Sequence, residues 1–215
     1  GAGNDKITGG TGNNTIVLKG NFGNDTVNLT KGENINLDFT SLEIKDVNEL
    51  KFSIEKNDIR ISVPDGSGSV LLKNFAKTNV VGSSGAVILK FLNKTVNMNT
   101  DCFLEFYKED FSNTGVFVGS RLSEKIDATG LAMGASISAG LGINTIISTD
   151  GNTDKITAGN DGNNITLKSG KKTVITGSGN DSISIIGTGE RTINAGGGKN
   201  SIKIDNSSNY GNVII

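Results

Sequence analysis

Branched apolar residues recur about every nine positions through the second half of the chain, separated by Gly, Asn, Asp, Ser and Thr. A similar spacing of branched apolar residues occurs over a shorter stretch at the start of the chain. A period of nine fits neither a helix nor an ordinary hairpin protein, but it is typical of a short strand and a tight turn repeated along a solenoid. We call these inward-facing positions rungs, and they predict an all-β fold. The rungs are Ile7, Ile16 and Val27, then Ile126, Ile137, Ile146, Ile156, Ile165, Val174, Ile183, Ile193, Ile202 and Val213.

A polar segment of similar composition precedes several rungs. It reads GAGND before Lys6-Ile7-Thr8 and GSGND before Ser182-Ile183-Ser184. Glycine supplies the positive φ angles of a tight turn, while the rung points inward and its neighbours point to water. These segments resemble the glycine- and aspartate-rich nonapeptides of the RTX (haemolysin-type) exoproteins. The resemblance covers roughly residues 1–37 and 121–215 and implies a right-handed parallel β-roll with calcium between its turns.

The nonapeptide pattern stops between about Asp38 and Ser120. Period-two alternation predicts a β-hairpin over 50–63, and a turn at Pro64-Asp65-Gly66 leads into a third strand. A second hairpin is predicted across Asn93-Lys94. This order resembles the small β domain inserted between RTX repeat blocks, and we expect residues 47–98 to form an antiparallel unit packed on the end of a roll. The predicted domains are RTX-like repeats at 1–37, an inserted small β domain at 38–120 and degenerate RTX-like repeats at 121–215.

The segment 101–111 is the most aromatic part of the chain. Its pattern is compatible with a short helix or with a strand. One interpretation is a contact patch for a neighbouring domain. We favour the other, a core plug that caps the second array, since large apolar side chains are usually buried.

Two consecutive nonapeptides make one coil, so turns on the same edge stack at roughly 4.8 Å. Two carboxylates facing each other at that spacing repel, and a hard cation held by carboxylates and carbonyls relieves the repulsion. The RTX family places its liganding Asp two residues before the rung. In this chain that position holds Asp5, Asn14 and Asp25, and later Glu124, Ala135, Asn144, Asp154, Asn163, Lys172, Asp181, Arg191 and Asn200.

Only Asp5 and Asp25 form a same-edge pair of carboxylates, at a spacing lengthened by an insertion at Leu18-Lys19. We expect calcium there, completed by carbonyls of the turns at 1–3 and 20–23. In the second array, Asp154 faces Lys172, whose ammonium can replace the ion by a salt bridge. Asp181 faces only asparagines, so we expect weak calcium binding or none in this array. The alternative is that every Asp is a plain turn residue. The candidate metal-binding residues are Gly1, Gly3, Asp5, Gly20, Asp25, Asp154 and Asp181.

Composition favours a non-enzymatic module. The 215 residues include 30 Gly, one Pro and one Cys, lack His and Trp, and carry a net charge of −1. The near-neutral charge argues against nucleic acid, and no apolar run approaches the length of a membrane span. Cys102 has no disulfide partner in the chain and no histidine to activate it, so we expect a packed apolar residue rather than a nucleophile. No zinc-binding or nucleophile-elbow motif occurs.

The resemblance therefore implies a non-catalytic, structural calcium-binding β-roll segment of a large type I-secreted bacterial surface protein, an S-layer subunit or an adhesin. The alternatives are the repeat block of an RTX cytolysin and the C-terminal roll of a secreted protease or lipase. Expected partners are the rest of the parent polypeptide and other copies on a cell surface. Residues 210–215 look like the start of another repeat, so we expect a fragment of a longer extracellular protein.

Overall fold

The computed structural model describes residues 1–76, 85–205 and 211–214. The chain is a parallel β-solenoid, as its apolar period predicts. Its contacts divide it into two compact units, unit 1 from Gly1 to Cys102 and unit 2 from Phe103 to Ile215. Among the described residues, no helix is both long enough and apolar enough to cross a membrane. Of the partial repeat expected at 210–215, residues 210 and 215 lie outside the described part.

The described residues of unit 1 form two sheets and two short 3-10 helices, Thr40–Leu42 and Val47–Glu49. One sheet has the order β1-β3-β7-β6-β5 and the other β2-β4-β8-β9. The strands are β1 (Lys6–Ile7), β2 (Gly12–Val17), β3 (Gly23–Asn28), β4 (Glu33–Asp38), β5 (Lys51–Glu55), β6 (Asp58–Ser62), β7 (Gly68–Lys73), β8 (Val87–Lys90) and β9 (Thr95–Asn97).

The strands that follow the first array, β5 to β9, extend its two sheets. Both predicted hairpins are confirmed as the antiparallel pairs β5-β6 and β8-β9. However, β7 is parallel to β3 on one side and antiparallel to β6 on the other. The register pairs Val27 with Leu72 and Leu37 with Leu89, and all four side chains are fully buried. The rung columns of the first array therefore continue through β7 and β8.

Unit 2 is a regular two-sheet solenoid whose first coil contains the 3-10 helix Lys108–Asp110. Even-numbered strands from β10 to β20 form one sheet, sheet I, and odd-numbered strands from β11 to β21 form the other, sheet II. The strands are β10 (Phe103–Phe106), β11 (Val116–Val118), β12 (Ser123–Asp127), β13 (Ser136–Ser138), β14 (Thr145–Ile147), β15 (Asp154–Thr157), β16 (Asn164–Leu167), β17 (Lys172–Ile175), β18 (Ser182–Ile185), β19 (Arg191–Asn194), β20 (Ser201–Ile204) and β21 (Val213–Ile214).

The rungs of unit 2 stack in two columns inside the solenoid. Ile165 pairs with Ile183 in sheet I, and Val174 pairs with Ile193 in sheet II. Ile165, Val174 and Ile183 are at most 1% exposed, so their predicted inward orientation is confirmed. Burying such branched side chains contributes about 1.5–3 kcal/mol each, which makes the columns the main source of cohesion between coils.

Val213 does not stand in the rung column, and its assignment as a rung was wrong. The backbone register pairs Val213 with Arg191 and Ile214 with Thr192, two residues ahead of the Ile193 rung. A shift of two residues keeps the same alternation of faces along a strand, so the apolar pattern alone does not distinguish the two registers.

The aromatic segment opens the core of unit 2. It forms strand β10 followed by the 3-10 helix, which resolves the choice between strand and helix. Phe106 and Phe111 are buried, and their ring centroids lie 5.0 and 5.3 Å from that of Phe117. The segment thus packs as the core plug that we favoured.

Candidate cation-binding turns

The residue two before the rung has a structural task on the sheet I edge. Asn200 Oδ1 accepts the backbone N–H of Asp181 at 2.9 Å, and Asp181 Oδ1 accepts that of Asn163 at 2.8 Å. Asn163 Oδ1 accepts the backbone N–H of Asn144 at 3.2 Å, and Asn144 Oδ1 accepts that of Glu124 at 3.0 Å. Each side chain therefore satisfies a backbone donor one coil earlier, at the point where the turn meets the strand.

Asparagine at this position also closes its own turn. Asn144 Nδ2 donates to the carbonyls of Leu141 and Gly142 at 3.1 and 3.0 Å. Asn200 Nδ2 donates in the same way to Ala195 and Gly197. An amide both accepts and donates, whereas an ionised carboxylate only accepts. Turns that end in Asn are thus held by the protein alone.

The side chain of Asp181, which ends its turn, has no N–H donor with which to bond the carbonyls of that turn. Its Oδ1 accepts from the Asn163 backbone N–H and from Asn163 Nδ2 at 3.0 Å, as the predicted facing of these residues requires. Its Oδ2 is buried and has no hydrogen-bond partner among the described residues, and the same is true of Thr176 Oγ1, five residues earlier. A buried carboxylate oxygen without a partner is costly. Carboxylate and hydroxyl oxygens are ligands that calcium accepts, so this turn fits the ion, in contrast to the weak binding or none that its asparagine neighbours led us to expect.

The facing of Asp154 and Lys172 is confirmed, but the pair is fully buried rather than exposed. Lys172 Nζ lies 2.6 Å from Asp154 Oδ2, and neither side chain is accessible to solvent. Lys172 Nζ also donates to Thr149 O and Asn152 O, both at 2.9 Å, and to Thr149 Oγ1 at 3.2 Å. Burial lowers the pKa of the Lys172 ammonium. These residues do not fit calcium, because the ammonium already fills the turn.

Both oxygens of Asp154 are also used by donors other than Lys172. Its Oδ1 accepts the Ala135 backbone N–H at 2.7 Å, and its Oδ2 accepts the Thr149 backbone N–H at 2.9 Å. The Thr149 hydroxyl donates within 2.9 Å of both. Asp154 is therefore the most fully bonded carboxylate among the proposed metal ligands in the described residues.

Arg191 stands one coil beyond Lys172 on the same edge and is 1% exposed. Its Nη2 donates to the carbonyls of Lys168, Gly187 and Thr188 at 2.6, 3.0 and 3.1 Å. Its Nη1 donates to the carbonyls of Glu190, at 3.0 Å, and Gly170. Two successive turns thus close on one guanidinium, a role that its sequence position did not reveal.

Glu124 begins the sheet I ladder and is fully buried. Its Oε1 accepts from the Ser120 backbone N–H at 2.7 Å and from Ser120 Oγ at 2.5 Å. Its Oε2 has no partner within the described residues. A Cβ added to Gly119 would lie 2.2 Å from that oxygen, so the carboxyl needs a glycine there. Burial raises the pKa of Glu124 to about 7.

In unit 1, Asp5 and Asp25 are level with each other, each one residue before the paired Lys6 and Thr26. Asp25 is buried, and its Oδ1 accepts the Asp5 backbone N–H at 2.9 Å, whereas Asp5 is exposed. A cavity of about 320 Å³ is lined in part by Gly1, Asp5 and Asp25. The carbonyl of Gly3 points at Gly23, and Gly20 is an exposed turn residue with φ of 59°.

Sequence reasoning missed several polar residues of the turns. Glu33 is buried in unit 1, where its Oε1 accepts from Asn14 Nδ2 at 3.0 Å and its Oε2 from the Thr30 backbone N–H at 2.9 Å. Thr149 and Thr176 each precede a turn-ending Asp by five residues, a spacing that was available as a signal. Among the described residues, no three His, Cys, Asp or Glu side chains gather at one point, so carbonyls and hydroxyls have to supply most ligands of any ion.

No protein-family model matches the chain, and no curated protein matches it. Its function is therefore inferred from the geometry of the turns.

Proposed function

We propose that this chain is a non-catalytic structural segment of a large, type I-secreted bacterial surface protein, an S-layer subunit or an adhesin. In this proposal a calcium-supported β-roll of the RTX type acts as a stiff spacer outside the cell. The observation that carries it is that the buried Oδ2 of Asp181 and the buried hydroxyl of Thr176, five residues earlier in the same turn, both lack a partner among the described residues, within a regular stack of turns.

A structural role is supported by how the buried carboxylates are used. Asp25, Asp154 and Asp181 each accept a backbone N–H from the preceding coil. Side chains committed to the backbone hold coils in register, which is the requirement of a spacer. Each coil of a solenoid contacts only its neighbours, so hydrogen bonds between adjacent coils directly stabilise the solenoid against separation of its coils.

The proposed ion would be held by Asp181 and Thr176 with carbonyls of their turn. When bound, it supplies positive charge to a buried carboxylate and takes no part in catalysis. A site with one carboxylate is weak, and extracellular calcium modules bind at about 0.1–1 mM. That range suits a protein that completes its folding after export.

Calcium titration of the chelator-stripped protein tests this proposal. We expect heat of binding and a thermal midpoint raised by roughly 5–10 °C at a hundredfold excess over Kd. Asp181→Asn should abolish the response of unit 2, because asparagine closes its own turn as Asn163 does. Asp127→Asn is the matched control, since Asp127 is a half-exposed residue whose carboxylate caps the Thr129 N–H. A wild type indifferent to calcium, or an unchanged response in Asp181→Asn, would refute the proposal.

A further inference from the structure

We infer that the sheet II edge of unit 2 carries its own cations, so that it closes without metal. Lys172 occupies a space between successive turns that resembles the proposed calcium site at Asp181, and Arg191 fills the next space along the same edge. This inference rests on the proposed function for its comparison, and it contrasts the calcium-dependent Asp181 turn on the sheet I edge with a sheet II edge that needs no metal.

The oxygens around Lys172 are of the kind that a calcium ion uses. They comprise one carboxylate oxygen of Asp154, two carbonyl oxygens and the Thr149 hydroxyl, all within 3.2 Å of Nζ. Calcium takes its ligands from the same three groups. An ammonium has three protons to donate and fits the shell as a point charge.

The turn that ends in Asp181 has the same Thr–Asp spacing as the turn that ends in Asp154, but no lysine or arginine faces it one coil later. Thr176 and Asp181 repeat the five-residue spacing of Thr149 and Asp154, yet in the described part of the chain Thr176 Oγ1 and Asp181 Oδ2 have no partner. The difference lies one coil later. There the Asp154 turn meets Lys172, whereas the Asp181 turn meets Asn200, whose amide is committed to its own turn. A long cationic side chain one coil on therefore decides whether a turn is filled.

Arg191 extends the column by one coil. Five carbonyl oxygens from two successive turns converge on its guanidinium, with no carboxylate among them. Carbonyls without a carboxylate bind calcium poorly, whereas the four Nη–H donors of a planar guanidinium suit such a set of acceptors, and the Arg191 Nε–H has no partner among the described residues. The Arg191 charge also opposes that of Lys172. A divalent ion entering this edge would therefore meet two fixed cations.

Lys172→Met tests the inference, because it removes the charge and keeps most of the volume. In chelator we expect the thermal midpoint of unit 2 to fall by roughly 10 °C, since Asp154 is left buried and unpaired. Saturating calcium should restore most of this loss, and magnesium should not, because magnesium demands a small, near-ideal octahedral shell. Lys155→Met is the matched control, an exposed lysine on β15 whose loss should change neither midpoint.

A second variant keeps the inference testable if Lys172→Met does not fold. Lys172→Met combined with Asp154→Asn removes both charges, and asparagine can still accept the Ala135 N–H and close its own turn. This double variant should be more stable than the single one and insensitive to calcium. A single variant that melts like Lys155→Met, or a double variant that gains nothing, would overturn the inference.

The two proposals fail separately. A wild type that binds no calcium, together with a calcium response in Lys172→Met, would refute the proposed function and support the inference. A wild type whose 149–154 turn gains hydrogen-exchange protection only on adding calcium would refute the inference and leave the Asp181 site intact.

Discussion

Glu124→Gln should make unit 2 more stable at high pH and leave its stability at low pH nearly unchanged. Burial raises the pKa of Glu124 from its ordinary value of 4.5 to about 7. Because the folded pKa exceeds the unfolded one, the folded state binds the proton more tightly. The stability due to the protonated carboxyl is fully present below pH 4.5 and is lost as the pH rises through 7. A shift of this size corresponds to about 3 kcal/mol.

Urea denaturation of wild type and variant at pH 5 and pH 8 measures the effect. Glutamine keeps the acceptor for the Ser120 N–H and hydroxyl but carries no charge at either pH. The difference in unfolding free energy should therefore grow by about 2–3 kcal/mol in favour of the variant between the two pH values. Glu109→Gln is the control, as Glu109 is an exposed residue of the 3-10 helix. An equal difference at both pH values would show that Glu124 is ionised in the folded protein.

Three further predictions concern packing and reactivity. Ile183→Ala should cost about 2–5 kcal/mol in urea denaturation because it empties a rung. Ile175→Ala, at a residue 41% exposed, should cost far less, and equal losses would contradict the rung assignment. Gly196→Ala should destabilise by at least about 1–3 kcal/mol, because φ is +61° and the new Cβ would lie 1.9 Å from Gly177 O; wild-type stability would contradict this. Cys102 should resist a thiol reagent until urea unfolds unit 1, because burial raises its pKa to about 11, and rapid native labelling would contradict it.

Periodicity predicted the solenoid because a repeated strand and turn leaves a strong signal in the apolar positions. Ile165, Val174 and Ile183 point inward because their columns form the core, and the need for apolar residues in the core also produces the period seen in the sequence. The same signal failed at Val213, where a shift of two residues conserves the faces. It also did not show that β7 and β8 continue the sheets of the first array, since strand pairing depends on distant partners.

The interactions within the turns were predictable only where they depend on which side chains face each other in successive coils. The facing of Asp154 and Lys172 followed from the coil length, and the structure confirms it. Their complete burial did not follow, because it depends on how the turns close around them. The hydrogen bonds from Arg191 to backbone carbonyls could not be predicted, because every residue has a carbonyl and the sequence does not show which of them converge. Asparagine looked like a degenerate metal position, whereas its amide is what lets a turn close unaided.

A crystal structure of the protein grown with calcium, with anomalous scattering to identify the ion, tests the central claim most directly. The account predicts a calcium ion bound to Asp181 Oδ2 and Thr176 Oγ1, with Lys172 Nζ still bonded to Asp154. An ion at Asp154 with the Lys172 side chain displaced to solvent, and none at Asp181, would contradict it.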